Sequence, residues 1–235
     1  MNERDESLLK YIMASMGEGV SGLVLFDVNS TQFVRVNLVV LKGLLLQRGL
    51  NGMFISVDRP HQYMVHLLRM HKINLENLMF IDAIGRFSAD RKECMASVGY
   101  VDSPFHIDTL PAAMSNMGNN GNNGSNGDKK VSIDTCGFAM IDNLAALLPY
   151  NSYTSVESFL RSFVGVMTSR GNTIVPLVVD KEKSGLLYET ARSLATKEVD
   201  CRIETIPMEA GGTTQTKATD VRKISEFRYM EGGIH

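Results

Sequence analysis

The sequence predicts an α/β fold with a mostly parallel central sheet and helices on both faces. Three observations predict it. Short apolar runs alternate with longer amphipathic ones, the pattern of βαβ units. Several of the apolar runs end in an aspartate, at Asp58, Asp82 and Asp142. The chain has 235 residues, 44% of them hydrophobic, which suits one sizeable α/β domain.

Taken in order, Ser7 to Met16 reads as a short opening helix and Leu23 to Phe26 as a buried strand. Val36 to Arg48 is a helix stopped by Gly49. Met53 to Val57 is the second strand, ending at Asp58-Arg59-Pro60, and His61 to Lys72 is the next helix, with Met64, Leu67, Leu68 and Met70 on its buried side. Leu78 to Ile81 is the third strand. Gly85 to Met117 is less regular, with a turn at Asp102-Ser103-Pro104 and a helix cap at Asp108. Gly118 to Gly127 holds only glycine, asparagine and serine, so it cannot offset its own ordering entropy; it predicts a flexible insertion within one domain spanning 1–235. Gly137 to Asp142 is a buried strand, Ser155 to Ser169 an amphipathic helix, and Thr173 to Val179 a strand. Gly185 to Lys197 reads as a helix, Cys201 to Ile206 as the last strand, and the chain from about 208 as a polar tail.

Composition narrows the function classes. A net charge of -2 gives no bulk basic field for nucleic acid. Cys94, Cys136 and Cys201 are far apart, make no C-x-x-C pair and fit a reducing cytoplasm. No signal-peptide stretch opens the chain, and the apolar run Leu38 to Leu46 is broken by Lys42, so no membrane span is expected. His61, His66 and His71 are spread around a helix and do not form a metal site. Gly17-Glu18-Gly19-Val20-Ser21-Gly22 matches G-x-G-x-x-G but follows a helix and precedes a strand, the reverse of a dinucleotide fingerprint.

The segment with most chemical content lies between the first strand and its helix. Strand, short loop and apolar helix in that order form the cradle of a nucleotide phosphate chain. A working cradle reads G-x-x-x-x-G-K-[ST], since glycines let N–H groups wrap the phosphates and lysine neutralises them. Here the loop is Asp27-Val28-Asn29-Ser30-Thr31-Gln32-Phe33-Val34-Arg35, with no glycine and with Val34 about where the lysine belongs. Asp142, at the end of a buried strand, is either a magnesium-shell acid or a cap on the turn that follows. Asp58 stands where ATPases of this topology carry a water-activating acid, but Arg59 follows it, and the turn reading through Asp58 and Pro60 is the stronger.

These residues resemble a family. Arg48-Gly49, Ile55 to Pro60, His71 to Asn74, Phe80 to Ala83, Asp102 to Asp108, Phe138 to Leu144 and Phe159 to Gly171 are similar in order and spacing to RecA-superfamily, KaiC-like ATPase domains of the archaeal single-domain type. The resemblance runs from roughly Gly22 to Ile206 and implies a RecA-like P-loop NTPase fold. It places Thr173–Val179 between Leu23–Phe26 and Gly137–Asp142, Met53–Val57 beyond the latter, and Leu78–Ile81 further toward the edge. Two departures matter: the Walker A segment is degenerate from Val28 to Arg35, and the second acid of the family's E-E pair is Arg59.

The expected function is therefore a pseudo-ATPase, a regulatory or protein-interaction subunit with no catalytic residues and no cofactor. Burying a phosphate chain of about three to four negative charges without a lysine or a glycine nest is strongly unfavourable. A vestigial nucleotide site would comprise Asn29, Ser30, Thr31, Arg35, Asp58 and Asp142. By resemblance, the partners are further copies of the chain in a homo-oligomer, or an active RecA-like relative. One alternative is an ATP-binding and hydrolysing enzyme with a non-standard phosphate loop, using Asn29, Ser30 and Thr31 as donors and Asp142 for magnesium. A second is a DNA recombination accessory protein, which the near-neutral charge disfavours.

Overall fold

The computed structural model describes residues 3–84, 97–100, 135–169 and 171–202 of the chain. Among them, seven strands make one sheet: β1 (Gly22–Asp27), β2 (Gly52–Ser56), β3 (Leu78–Asp82), β4 (Ser97–Tyr100), β5 (Phe138–Ile141), β6 (Ile174–Val179) and β7 (Ala195–Asp200). Their order is β4-β3-β2-β5-β6-β1-β7, and every pairing is parallel. The expected neighbours are found: β6 lies between β1 and β5, β2 beyond β5, and β3 further toward the edge. Strands from either side of residues 118–127 pair directly, β5 with β2. The insertion itself, the Asp102 to Asp108 motif and the tail from about 208 lie outside the described residues.

Successive side chains of a strand point to opposite faces, so each strand serves two cores. Val24, Phe26, Phe54, Phe80, Phe138 and Val178 face the layer of α1 (Glu3–Met16), α2 (Phe33–Lys42) and α3 (His61–Met70). Leu23, Leu25, Ile55, Ile81, Ile141 and Leu177 face α4 (Tyr153–Thr168) and α5 (Gly185–Leu194). In α4 the buried residues Val156, Phe159, Leu160, Phe163, Val164 and Met167 recur at helical spacing, and Ser152 caps its start by accepting from the Ser155 N–H.

α2 continues through a π-helical turn, Gly43–Gln47, and stops at Gly49, whose φ of 62° is the left-handed cap that glycine adopts without a Cβ penalty. α3 has no side-chain cap of its own. Its first N–H, that of His61, donates to Asp82 Oδ2 at the end of β3 (2.8 Å), so the strand end caps the helix.

Two expectations need correction. The helix read as ending at Lys197 ends at Leu194, and Ala195–Asp200 is the last strand among the described residues; of the stretch read as the last strand, Cys201 and Arg202 are not in a strand and 203–206 lie outside the described residues. β7 is an edge strand with Thr196, Lys197 and Glu198 exposed and Val199 buried, so it lacks the apolar run that marks an inner strand. β4 extends the sheet beyond β3 from a stretch read as irregular.

Candidate functional site

The loop from β1 to α2 is closed on itself. Asn29 opens a short 3₁₀ turn, Ser30–Gln32, by accepting from the Thr31 N–H (3.1 Å) and the Thr31 hydroxyl (2.9 Å). The Gln32 N–H donates to the Asn29 carbonyl, the Phe33 N–H to the Ser30 carbonyl and the Val28 N–H to the Val179 carbonyl. The Ser30 N–H donates to Asp180 Oδ2 across the loop (2.8 Å). Bulk completes the closure, for Val28 and Phe33 are buried.

Asp180 follows β6. Its other oxygen accepts from the N–H groups of Glu182 (3.1 Å) and Lys183 (3.2 Å), and Lys183 Nζ donates to Ser30 Oγ (2.6 Å). Burial pushes the Asp180 carboxyl up, but the donors from Ser30, Lys183 and Glu182 outweigh it and leave it below the usual carboxylate value. The loop thus wraps an anion, and that anion is the protein's own.

A separate cleft lies between the ends of β2 and β5 and the first turns of α2 and α3. Phe33, Val34, Phe54, Pro60, Tyr63 and Met64 supply its apolar wall. Asn37, Ser56, Asp58, Arg59 and Asp142 supply the polar part. Asp142 latches the end of β2: Oδ1 accepts from Val57 N (2.9 Å) and Asn143 N (2.8 Å), Oδ2 from Asp58 N (3.2 Å). Burial nevertheless dominates and raises its carboxyl to about 7, with the nearby Asp58 charge adding to the rise. Asp58 is exposed at the rim beside Arg59 (3.7 Å), whose guanidinium lies over the Tyr63 ring.

The residues proposed from the sequence as one site are therefore distributed over different places. Asp58 and Asp142 share the cleft. Asn29, Ser30 and Thr31 build the closed turn. Arg35 reaches away from both, pairing with Asp5 on α1 at 2.6 Å. In the loop the N–H groups at Val28, Ser30, Thr31, Gln32 and Phe33 are taken, the Asp180 carboxylate stands at the Ser30 N–H, Val34 offers no cation, and Lys183 is the ammonium that reaches Ser30.

Two site residues escaped the sequence reading. Asn37 is buried in an otherwise apolar helix run, Val36-Asn37-Leu38, a polar interruption that was itself a usable signal. Asp180 is an acid directly after an apolar strand, the pattern already noticed at Asp82 and Asp142. Cys136 and Cys201 are buried; burial pushes the Cys201 thiol up to about 12.

No family model and no curated protein matches the sequence. Solved structures do match. A KaiC-like protein from the hyperthermophilic archaeon Pyrococcus horikoshii OT3 superposes with a TM-score of 0.53 at 10% identity, over 79% of this chain and 73% of that one. An uncharacterized protein from Pyrococcus horikoshii, solved in complex with an unknown peptide, gives 0.54 at 12% identity, over 76% of each chain. The fold is RecA-like and is shared with these two proteins. The RecA-like sheet puts both the closed loop and the cleft at the carboxyl ends of its strands, where open α/β sheets receive ligands.

Proposed function

We propose that this RecA-like chain is a pseudo-ATPase: a cytoplasmic regulatory or protein-interaction subunit that assembles with its own copies or with an active RecA-like relative. One observation carries the reading. The loop that would cradle phosphates spends its backbone donors internally and holds the Asp180 carboxylate at the Ser30 N–H. An incoming phosphate would have to displace a bonded carboxylate and then face its charge with no lysine in the loop, and anion sites work by the opposite arrangement. Arg35, the cation within the loop's own sequence, pairs with Asp5, and Lys183, which follows β6, reaches the loop at Ser30 Oγ. Among the described residues no helix is long and apolar enough to cross a membrane, in keeping with a cytoplasmic place of work.

Calorimetric titration with Mg-ATP tests the reading. The expected outcome is no saturable heat at millimolar nucleotide. Saturable binding, or phosphate release that disappears in Asp142→Ala, would replace it with an enzyme using an unusual phosphate loop. Sedimentation of the protein alone and with an active relative would then report which assembly forms.

A further inference from the structure

The outward face of α3 carries side chains that a solvated helix does not need. A surface helix normally turns charged residues of both signs to water, often paired one turn apart. Between Asp58 and Glu76, a stretch that contains all of α3, there is no acid. The buried side of α3 is His61, Met64, Val65 and Leu68, and at about 100° per residue the opposite arc is Tyr63, His66, Arg69 and Met70. All four are exposed, Tyr63 by 42% and Met70 by 65%. A lone exposed apolar residue needs no explanation, but here an aromatic ring and a thioether share one strip with cations.

Those cations are unmatched. Arg35, Arg161, Arg192 and Arg202 each hold an acid at 3.2 Å or closer. Arg69 and Lys72, exposed at the end of α3, pair with no acid among the described residues. Glu76, the first acid past the helix, is held by Asn74. Arg59 is 48% exposed and stands 3.7 Å from Asp58, beyond hydrogen-bond reach, with its guanidinium 5.1 Å from the centre of the Tyr63 ring. Arg69 complements the carbonyl end of the helix, which accounts for one positive charge. Arg59 precedes the first turn, where the helix dipole favours an anion, so the helix does not account for it.

Tyrosine, arginine and methionine are the side chains that protein interfaces favour. Tyr63 and Met70 are two turns apart, about 10 Å along the axis, and a strip along one side of a helix is what another helix packs against. We propose that the face formed by Arg59, Tyr63, His66, Arg69 and Met70 docks an acidic, amphipathic helix of a protein partner, with its apolar side on Tyr63 and Met70 and its carboxylates on Arg59 and Arg69. The proposal rests on the reading of this chain as a protein-interaction subunit and gives the partner its chemistry. Charge complementarity sets the partner's sign, because cations stand at both ends of the strip and only Asp58 opposes them. A single-stranded nucleic acid fits less well. It needs successive aromatic platforms, and Tyr63 is the one aromatic ring among these residues, with Arg59 already over it.

The test is an NMR titration of the intact protein with an amphipathic helical peptide built from glutamate, leucine and alanine. Three controls accompany it: the same peptide with glutamine for glutamate, the same with alanine for leucine, and a single-stranded oligothymidylate. The acidic peptide should shift the backbone amides of Tyr63, His66, Arg69 and Met70 saturably, and added salt should weaken it. Both altered peptides should bind several-fold more weakly. Arg69→Glu and Tyr63→Ala change exposed side chains, so the melt should hold while binding falls several-fold in each. Arg161→Ala, on α4 across the sheet, should leave binding unchanged. No saturable shift on α3, equal binding of the glutamine peptide, undiminished binding in a folded Arg69→Glu, or tighter binding of oligothymidylate would overturn the proposal. A parallel Mg-ATP titration keeps the two readings apart: a silent α3 with no nucleotide binding removes this face alone, whereas nucleotide binding removes the pseudo-ATPase reading.

Discussion

Asp180 and Asp142 occupy equivalent places, each just past the end of an inner strand of the same sheet, yet their carboxyls move in opposite directions. Asp180 lies below the usual carboxylate value and Asp142 is raised to about 7. Both accept backbone N–H bonds, from Ser30, Glu182 and Lys183 in one case and Val57, Asp58 and Asn143 in the other. Donor supply is thus similar and does not explain the difference. Asp142 and Asp180 are both buried, at 7% and 6% exposure, so what differs is company. Asp142 sits at the floor of an apolar cleft with Asp58 nearby, whereas Asp180 lies where Lys183 reaches across to Ser30. The same residue type at the same kind of strand end becomes a resident anion in one place and a desolvated acid in the other.

The largest expected effect tests Asp142 by pH. Its ordinary value is 3.8 and its folded value about 7, so between those limits the native state binds more protons than the unfolded chain. Stability from this group is then full below about 3.8 and is lost as pH rises through about 7. At about 1.4 kcal/mol per unit, the span is worth roughly 4 kcal/mol. Asp142→Ala removes the titration. Its urea-unfolding free energy relative to the parent should therefore climb by up to that amount from pH 4 to pH 7.5, across the window set by the raised carboxyl. A pH-independent difference would mean that Asp142 is not desolvated, and the contrast with Asp180 would collapse.

Asp180 should show the reverse sign and a smaller size. Its folded carboxyl is lowered, so its contribution is present above the ordinary value of 3.8 and is lost as pH falls through the folded one. Asp180→Ala leaves the N–H groups of Ser30, Glu182 and Lys183 without their acceptor, at a cost of about 2 kcal/mol near neutral pH. Hydrogen exchange at the Ser30 amide reads the local effect, which should be faster exchange there and little change in β2. Unchanged protection at Ser30 would show that the loop closes without Asp180.

How much of this was legible in the sequence follows the range of each interaction. The inner strands were readable because β1, β2, β3, β5 and β6 are buried throughout, and burial on both faces writes a continuous apolar run; their order came from the family resemblance. β7 was misplaced because an exposed edge needs no such run, and Thr196, Lys197 and Glu198 extend the polar pattern of the helix before them. The glycine-free loop was visible, and so was Asp142 at a strand end. The bond from Ser30 to Asp180 spans 150 positions and the bond from Asn37 to Asp142 spans 105, so local pattern could not supply either pairing. Arg35 was read toward a phosphate because it was the nearest cation in the chain; its partner, Asp5, belongs to α1 and is set by helix packing.

The smallest effect sharpens the comparison from that residue. Arg35 Nε pairs with Asp5 at 2.6 Å, with the side chains 30% and 16% exposed, and Nη1 lies 3.5 Å from Gln32 Oε1. A partly exposed ion pair of this kind contributes about 0.5 kcal/mol, and salt screens it. If Arg35 serves only to hold α1 against α2, then Arg35→Ala and Asp5→Ala should each cost that much, and the double variant should show a coupling of similar size. Neither variant should alter the response to Mg-ATP, because neither residue lies at the Asp180 anion or in the Asp142 cleft. A double-mutant cycle by urea unfolding measures the coupling. If Arg35→Ala instead changed a nucleotide response that Asp5→Ala left intact, the arginine would be a phosphate ligand that swings from α1 to the loop, and the closed loop would be one state of an opening site.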